Sequence, residues 1–170
     1  MIPIYGFDLS SRKVAMCTLD GSDVSKHTVA TTKLSSRGEE LCRIAAGVRR
    51  FFEEVMPGFV YIEAPVVGRG GARPTILQSQ VDGLLQAHAV QFGHHGVYSV
   101  NNKTWKKAVV GNGNASKDDT RAWLEVAHPV LSALCGDDQD LVDAAGVALY
   151  GRDVITRSEE RFPEAVRLDP

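Results

Sequence analysis

Two short segments of this chain are apolar on both alternating faces and then end in a carboxylate. The first is Ile2–Asp8 and the second is Phe59–Glu63. A strand with two apolar faces is covered on both sides, as in sheets that lie between layers of helices. This feature predicts an α/β fold, with one acid at the end of each of two buried strands.

The first of these strands opens a meander. Segments typical of β-strands flank the dipeptide Asp20-Gly21, which suits a tight hairpin turn. We therefore expect three antiparallel strands before residue 31. An amphipathic helix follows after the capping residue Ser36.

The rest of the chain alternates between helix and strand. Helical spacing of apolar residues covers Pro74–Phe92, and a short strand follows at Val97–Val100. A helix then begins at Ser116 and is broken or kinked near Pro129, and a last helix covers about Asp138–Tyr150. This order predicts a mixed five-stranded sheet, three strands antiparallel plus two parallel, with helices on both faces.

The length and composition favour one soluble domain. The chain has 170 residues, of which 44% are hydrophobic and 24% are charged. We expect the domain to span 1–151 and the charged segment 152–170 to be a surface or disordered tail. Three widely separated cysteines, together with no signal-peptide pattern and no membrane-length apolar segment, predict a cytoplasmic protein without a membrane partner.

Four acids stand where burial normally excludes them. Besides Asp8 and Glu63 they are Asp140 and Asp143, which lie on one helix face just before residues that are apolar in every direction. Taken singly, a strand-end acid can cap a loop, and an acid in a first helical turn can complement the helix dipole. Together they cannot be so explained, since two carboxylates ~4 Å apart repel by on the order of 4 kcal/mol at an effective dielectric constant of 20.

Divalent cations would relieve that repulsion. Hard carboxylate oxygens suit Mg²⁺ or Mn²⁺, and a pair of such ions activates water and stabilises the leaving oxygen in phosphodiester cleavage. The four acids therefore predict a nuclease with two metal ions per active site.

The basic residues are concentrated between these acids. Residues 64–117 contain six lysines and arginines and one acid, whereas the whole chain carries a net charge of −2. A basic segment of this kind is typical of a protein that grips phosphates, although a solvated charged face is the ordinary alternative. The six candidate DNA contacts are Arg69, Arg73, Lys103, Lys106, Lys107 and Lys117.

These pieces, in this order, resemble the RuvC-type Holliday junction resolvases, including phage and bacterial members. The matching pieces are the strand-end Asp8, the step Ile62-Glu63, the segment 105–117 and the sequence from Asp140 to Ala145. The resemblance covers about Ile4 to Tyr150, nearly the whole chain.

The resemblance implies a ribonuclease H-like fold and a metal-dependent endonuclease that resolves four-way junctions by paired nicks. It implies that Asp8, Glu63, Asp140 and Asp143 form a catalytic, metal-binding tetrad for Mg²⁺ or Mn²⁺. It further implies that Lys106 and Lys117 contact DNA and that the protein is a homodimer. Our candidate for the dimer surface is the helix Pro74–Phe92.

Two departures from the family pattern leave alternatives open. Leu9-Ser10 follows Asp8 where the family usually has Pro-Gly, and Val66 stands where resolvases commonly place an aromatic that stacks on junction bases. Base stacking is worth ~1–3 kcal/mol, so its loss affects substrate choice. The alternatives are a nuclease for forks, flaps or RNA, and a binding module that is either a non-catalytic junction-binding protein or half of an actin-like nucleotide-binding protein.

Overall fold

The structure is a computed structural model that describes residues 2–66 and 72–161. Within those residues the chain forms five strands and six helices. In chain order they are β1 (Ile4–Leu9), β2 (Lys13–Asp20), β3 (Asp23–Ala30), α1 (Arg37–Glu54), β4 (Phe59–Glu63), α2 (Ala72–Gln91), β5 (Gly96–Val100), α3 (Asn102–Val109), α4 (Lys117–Ala127), α5 (Pro129–Cys135) and α6 (Gln139–Arg161).

The five strands form one mixed sheet in the order β3-β2-β1-β4-β5. β1, β2 and β3 pair antiparallel, and Gly21 makes the tight turn between β2 and β3 with φ of +60°. β4 lies parallel to β1, and β5 lies parallel to β4. The predicted fold class, three antiparallel strands plus two parallel ones, is confirmed.

Helices cover both faces of the sheet. Because successive side chains of a strand point to opposite faces, Val14 and Met16 of β2 pack in the core beneath α1 and α2. Ala15 and Cys17 of the same strand pack in a second core with α4, α5 and α6. The acid-bearing strand β1 therefore runs through the centre of a three-layer structure, buried on both sides as its sequence predicts.

The helix α6 approaches β1 unusually closely. A Cβ atom at Gly6 would collide with the Ala144 carbonyl oxygen and the Ala148 backbone nitrogen, and would lie 2.7 Å from the Ala148 Cβ. Only glycine permits this approach. The contact sets the height of α6 above the strand that carries Asp8.

One predicted helix break is confirmed and one predicted helix end differs from the structure. The helix that begins after Ser116 is broken near Pro129, as predicted, because Pro129 begins α5 as a separate element. The last helix does not end at Tyr150 but continues to Arg161, and Ile155 packs with Tyr61 and Trp105 in a third core cluster.

Two further differences concern the parts of the chain we had assigned no structure. α3 is a helix we did not expect. The expected tail is helical over its first part, whereas residues 162–170 lie outside the described part of the chain. None of the helices described is both long and apolar enough to cross a bilayer.

Candidate active site

Asp8 and Glu63 lie side by side at the same end of the sheet. β1 and β4 are parallel neighbours with Phe7 paired to Ile62, and each acid is the next residue along its strand. The carboxyl ends of parallel strands meet at one sheet edge. The two strand-end acids of the sequence are thereby brought together across 55 residues of chain.

α6 adds Asp140 and Asp143 to this edge. The two acids are three residues apart, which places them on one helix face, and the Gly6 contact holds that helix against β1. Asp143 is only 7% exposed. The helix around Asp143 is buried from Leu141 to Leu149, as its apolar sequence predicts.

Asp8 lies within the electrostatic influence of the other three carboxylates. Burial raises the pKa of Asp8 well above its usual value, and the neighbouring charges of Glu63, Asp143 and Asp140 raise it further. Burial and the charge of Glu63 raise the pKa of Asp143 to about 6, while Lys106 and Lys117 act in the opposite direction. The set of acids predicted from the sequence therefore converges in space.

Two side chains of α3 hold Glu63 in place. The Asn102 Nδ2 donates to Glu63 Oε1 at 2.8 Å, and the Trp105 Nε1 donates to Glu63 Oε2 at 2.7 Å. Trp105 is fully buried, and its ring packs so closely on Gly146 of α6 that a Cβ there would collide with it. Trp105 therefore orients a carboxylate, and its burial makes it unavailable to stack on a base.

The acids of α6 also have protein partners. Gln139 donates to Asp143 Oδ1 at 3.2 Å. The Lys13 ammonium lies 2.9 Å from Asp140 Oδ2, and it also contacts both carboxylate oxygens of Asp138 at 2.8 Å.

Sequence reasoning missed Lys13, Asn102, Trp105 and Gln139 as site residues. Lys13 is separated from Asp138 by 125 positions, so no local pattern could have revealed that pair. The one available signal was Asn101, whose side chain caps α3 by accepting from the Lys103 backbone N–H at 2.9 Å. That cap marks a helix start and would have placed Asn102 and Trp105 on α3.

The donor set fits a divalent metal by its chemistry. Carboxylate oxygens are the hard ligands that Mg²⁺ and Mn²⁺ prefer, and the charged neighbours of Asp8 are carboxylates. Within the described residues, however, no three His, Cys, Asp or Glu side chains are already arranged around a common point. The four acids share one end of the sheet, and protein donors bind oxygens of Glu63, Asp140 and Asp143.

The candidate DNA contacts differ in their accessibility. Lys106 is only 7% exposed, and its ammonium donates to the Ala115 carbonyl at 3.0 Å. The side chains of Arg73, Lys103, Lys107 and Lys117 are exposed. Arg69 lies outside the described residues. Lys106 therefore reaches the site from inside the protein, whereas the other described basic residues face solvent.

The turn before α4 uses its backbone N–H groups internally. Ser116 and Asp119 form a capping box, in which the Ser116 hydroxyl accepts from the Asp119 N–H and the Asp119 carboxylate accepts from the Ser116 N–H. The Ala115 N–H donates to the Asn112 carbonyl at 3.0 Å. These donors are already satisfied, so Lys117, at the first position of α4, is the group of this turn best able to meet a phosphate.

Solved structures of RuvC from Thermus thermophilus resemble this chain. One, RuvC in complex with a Holliday junction substrate, matches with a TM-score of 0.78 over 93% of this chain and 97% of that chain, at 18% identity. The chain has the RuvC fold. A second RuvC structure matches with a TM-score of 0.73 over 92% of this chain and 96% of that one, also at 18% identity.

The comparison confirms the predicted resemblance at the level of the fold. No protein-family model matches the chain, and no curated protein matches it. The likeness to RuvC therefore rests on three-dimensional structure and on the short sequence pieces around the four acids. The ribonuclease H-like architecture of RuvC is the frame in which these acids meet.

Proposed function

We propose that this chain is a metal-dependent DNA endonuclease that resolves four-way junctions by paired nicks. The observation that carries the proposal is the convergence of Asp8, Glu63, Asp140 and Asp143 at one sheet edge of a RuvC fold. One of the similar RuvC structures is a complex with a Holliday junction substrate. Mutual repulsion makes an acid cluster of this kind costly, and divalent cations would offset that repulsion.

The four carboxylates would hold Mg²⁺ or Mn²⁺, two ions per site. When bound, such ions activate water and stabilise the leaving oxygen of a phosphodiester. The protein itself orients the ligands: Asn102 and Trp105 fix both oxygens of Glu63, and Gln139 holds one oxygen of Asp143.

Basic side chains next to the acids would hold the DNA backbone. Lys117 is exposed and close enough to Asp143 to lower its pKa, so a phosphate contacting Lys117 would lie beside the acids. Lys103, Lys107 and Arg73 extend the exposed basic surface. Lys106 contributes a buried positive charge beside Asp143 and, as placed here, would contact a phosphate only after leaving Ala115.

A homodimer with α2 at its interface fits a two-fold substrate. A four-way junction presents two equivalent strands, and a two-fold protein presents two equivalent sites. Ile76 and Val90 of α2 are exposed by 58% and 68%. These apolar side chains support α2 as the surface that a second copy would cover.

A second candidate function is cleavage of forks or flaps. Val66 is 51% exposed at the position where resolvases commonly place a stacking aromatic. A valine cannot stack on an unpaired base, so it supports junction opening less well. Selectivity for a four-way junction over other branched DNA is therefore the part of the proposal that needs a direct comparison of substrates.

The test is cleavage of end-labelled four-way junction, fork, flap, linear duplex and single-stranded RNA with Mg²⁺, Mn²⁺ or EDTA. The key variant is Asp143→Asn, which keeps the shape of the side chain and removes its charge. Asp153→Asn is the matched control, because it lies on the same helix about 15 Å further along. We expect metal-dependent paired nicks in the junction, retained in Asp153→Asn and lost in Asp143→Asn.

Each of the other outcomes indicates a different function for the protein or a different role for Asp143. Equal cutting of forks or flaps supports the second candidate, and cutting of RNA makes the protein a ribonuclease. Tight junction binding without cutting in any metal refutes an endonuclease and supports a binding module. Cutting that persists in Asp143→Asn removes that residue from the catalytic set.

A further inference from the structure

Lys13 places a positive charge directly against one of the proposed metal ligands. Its ammonium lies 2.9 Å from Asp140 Oδ2 and 2.8 Å from each carboxylate oxygen of Asp138. All three side chains are partly buried, with exposed fractions of 28%, 34% and 36% for Lys13, Asp138 and Asp140. The lysine thus bridges an acid of the proposed tetrad and an acid outside it.

The backbone of Lys13 is fixed, so its ammonium can move only as far as the side chain allows. Lys13 begins β2, opposite Ala30 of β3. Its N–H donates to the Ser10 hydroxyl at 3.0 Å, and its carbonyl accepts from the Ser10 N–H at 2.8 Å. The ammonium can therefore move between Asp140 and Asp138, but it cannot leave their neighbourhood without a change in the backbone.

We propose that Lys13 competes with a divalent metal for Asp140 and that Asp138 is the acid that retains the lysine when metal binds. The proposal rests on the function proposed above. A carboxylate oxygen that accepts from an ammonium is not free to bind a metal, and a divalent cation repels the ammonium. Asp138 offers two oxygens at 2.8 Å, so Lys13 keeps a charge partner after losing Asp140.

The proposal assigns Lys13 and Asp138 opposite effects on metal affinity. Lys13→Met removes the competing charge and is expected to tighten Mg²⁺ binding about three- to tenfold, a range that reflects the modest strength of partly exposed ion pairs. Asp138→Asn leaves Asp140 as the acid bound to Lys13 and is expected to weaken binding by a similar factor. In the Lys13→Met background, Asp138→Asn is expected to have almost no effect, because Asp138 acts through the lysine.

The measurement is calorimetric titration of the full chain with Mg²⁺ and with Ca²⁺ at constant ionic strength. Arg50→Met is the matched control, because it also removes one positive charge from an ion pair, the pair with Glu54. Arg50 lies on α1, which covers the sheet face opposite α6, so the metal affinity of this variant should not change. Lys13→Arg keeps the charge and is expected to retain wild-type affinity.

The outcomes separate this inference from the proposed function. If the wild type binds metal and Lys13→Met binds with unchanged or weaker affinity, the competition is refuted while the nuclease proposal stands. If Asp138→Asn weakens binding equally with and without Lys13, Asp138 acts by its own charge and the bridging role is refuted. If wild type and all variants bind no divalent cation, the metal-dependent function itself fails.

Should Lys13→Met melt too low to titrate, Lys13→Gln replaces it, because glutamine removes the charge and still offers hydrogen-bond donors to Asp138. Lys13→Gln is expected to bind metal more tightly than the wild type, and Asp138→Asn is expected to have almost no effect in its background. Unchanged or weaker affinity in Lys13→Gln would refute the proposal.

Discussion

The contact between Gly6 and α6 makes a sharp prediction about stability. In Gly6→Ala the new Cβ would meet the Ala144 carbonyl oxygen, the Ala148 backbone nitrogen and the Ala148 Cβ. The Ala148 Cβ, at 2.7 Å, would have to recede by about 0.7 Å to reach the 3.4 Å at which ordinary contact begins. The two backbone atoms cannot rotate away, so the whole helix must move.

The cost follows from that geometry. Overpacking a core typically costs about 1–3 kcal/mol, and a clash with rigid backbone belongs at the upper end of this range or beyond. We expect Gly6→Ala to lower the free energy of unfolding by about 3 kcal/mol or more. With a urea m-value of about 2 kcal/mol/M, the unfolding midpoint would fall by about 1.5 M.

Urea unfolding followed by circular dichroism measures this change. Gly38→Ala is the matched control, because Gly38 lies exposed in α1 and its Cβ would have the Ser36 hydroxyl, at 3.8 Å, as its nearest neighbour. That control should be neutral or stabilising by up to about 1 kcal/mol. A loss below about 1 kcal/mol in Gly6→Ala, at an unchanged m-value, would refute the close approach of α6 to β1.

Two further predictions concern polar side chains inside the fold. Trp105→Phe removes the N–H that donates to Glu63, and a hydrogen bond to a charged group is worth about 1.5–3 kcal/mol. A double-mutant cycle with Glu63→Ala, measured by urea unfolding, should therefore give a coupling energy in that range. Additive effects would show that this bond does not hold the carboxylate. The Glu40 carboxylate accepts hydrogen bonds from Arg12 and, with a smaller effect, from Arg37, and these bonds lower its pKa from a usual 4.5 to about 2. The contribution of Glu40 to the free energy of unfolding is therefore complete above about pH 4.5 and is lost as the pH falls towards 2. In Glu40→Gln the urea midpoint should depend less on pH over that range. An unchanged slope would contradict the reasoning.

Most of the sheet could be predicted because its signals are local. The apolar segments that end in Asp8 and Glu63 define two buried strands by themselves, and the antiparallel meander follows from the turn at Asp20-Gly21. The order of elements then limits the topology to a few arrangements. The four acids were predicted as a group because mutual repulsion makes such a set costly without a cation.

α3 escaped prediction because its inner face carries two polar residues. The buried and half-buried positions, Asn102, Trp105, Lys106 and Val109, have the spacing of an amphipathic helix, but only two of them are hydrophobic. A lysine also gives no hint of burial. The second half of α6 was missed because its sequence has too weak a hydrophobic pattern. Ile155 packs in a core cluster past Gly151, but one residue cannot establish a helical period.

The ion pairs around the acids could not be read from the sequence at all. Lys13 meets Asp138 across 125 positions, and the pairing depends on how high α6 sits over the sheet. That height is set by Gly6. In the sequence, a glycine in a strand indicates only a low propensity for β-structure and says nothing of the helix that packs on it. Long-range positioning of this kind requires the folded structure.

The helix α6 has a consequence for the biosynthesis of this protein. It is the last element described, and it supplies both Asp140 and Asp143 and much of the apolar layer beneath β1 and β2. During translation the basic segment and the first two acids leave the ribosome before it. A nascent chain without α6 therefore has neither a complete acid cluster nor a finished core, so the proposed active site and the folded state arrive together, with the same 23 residues.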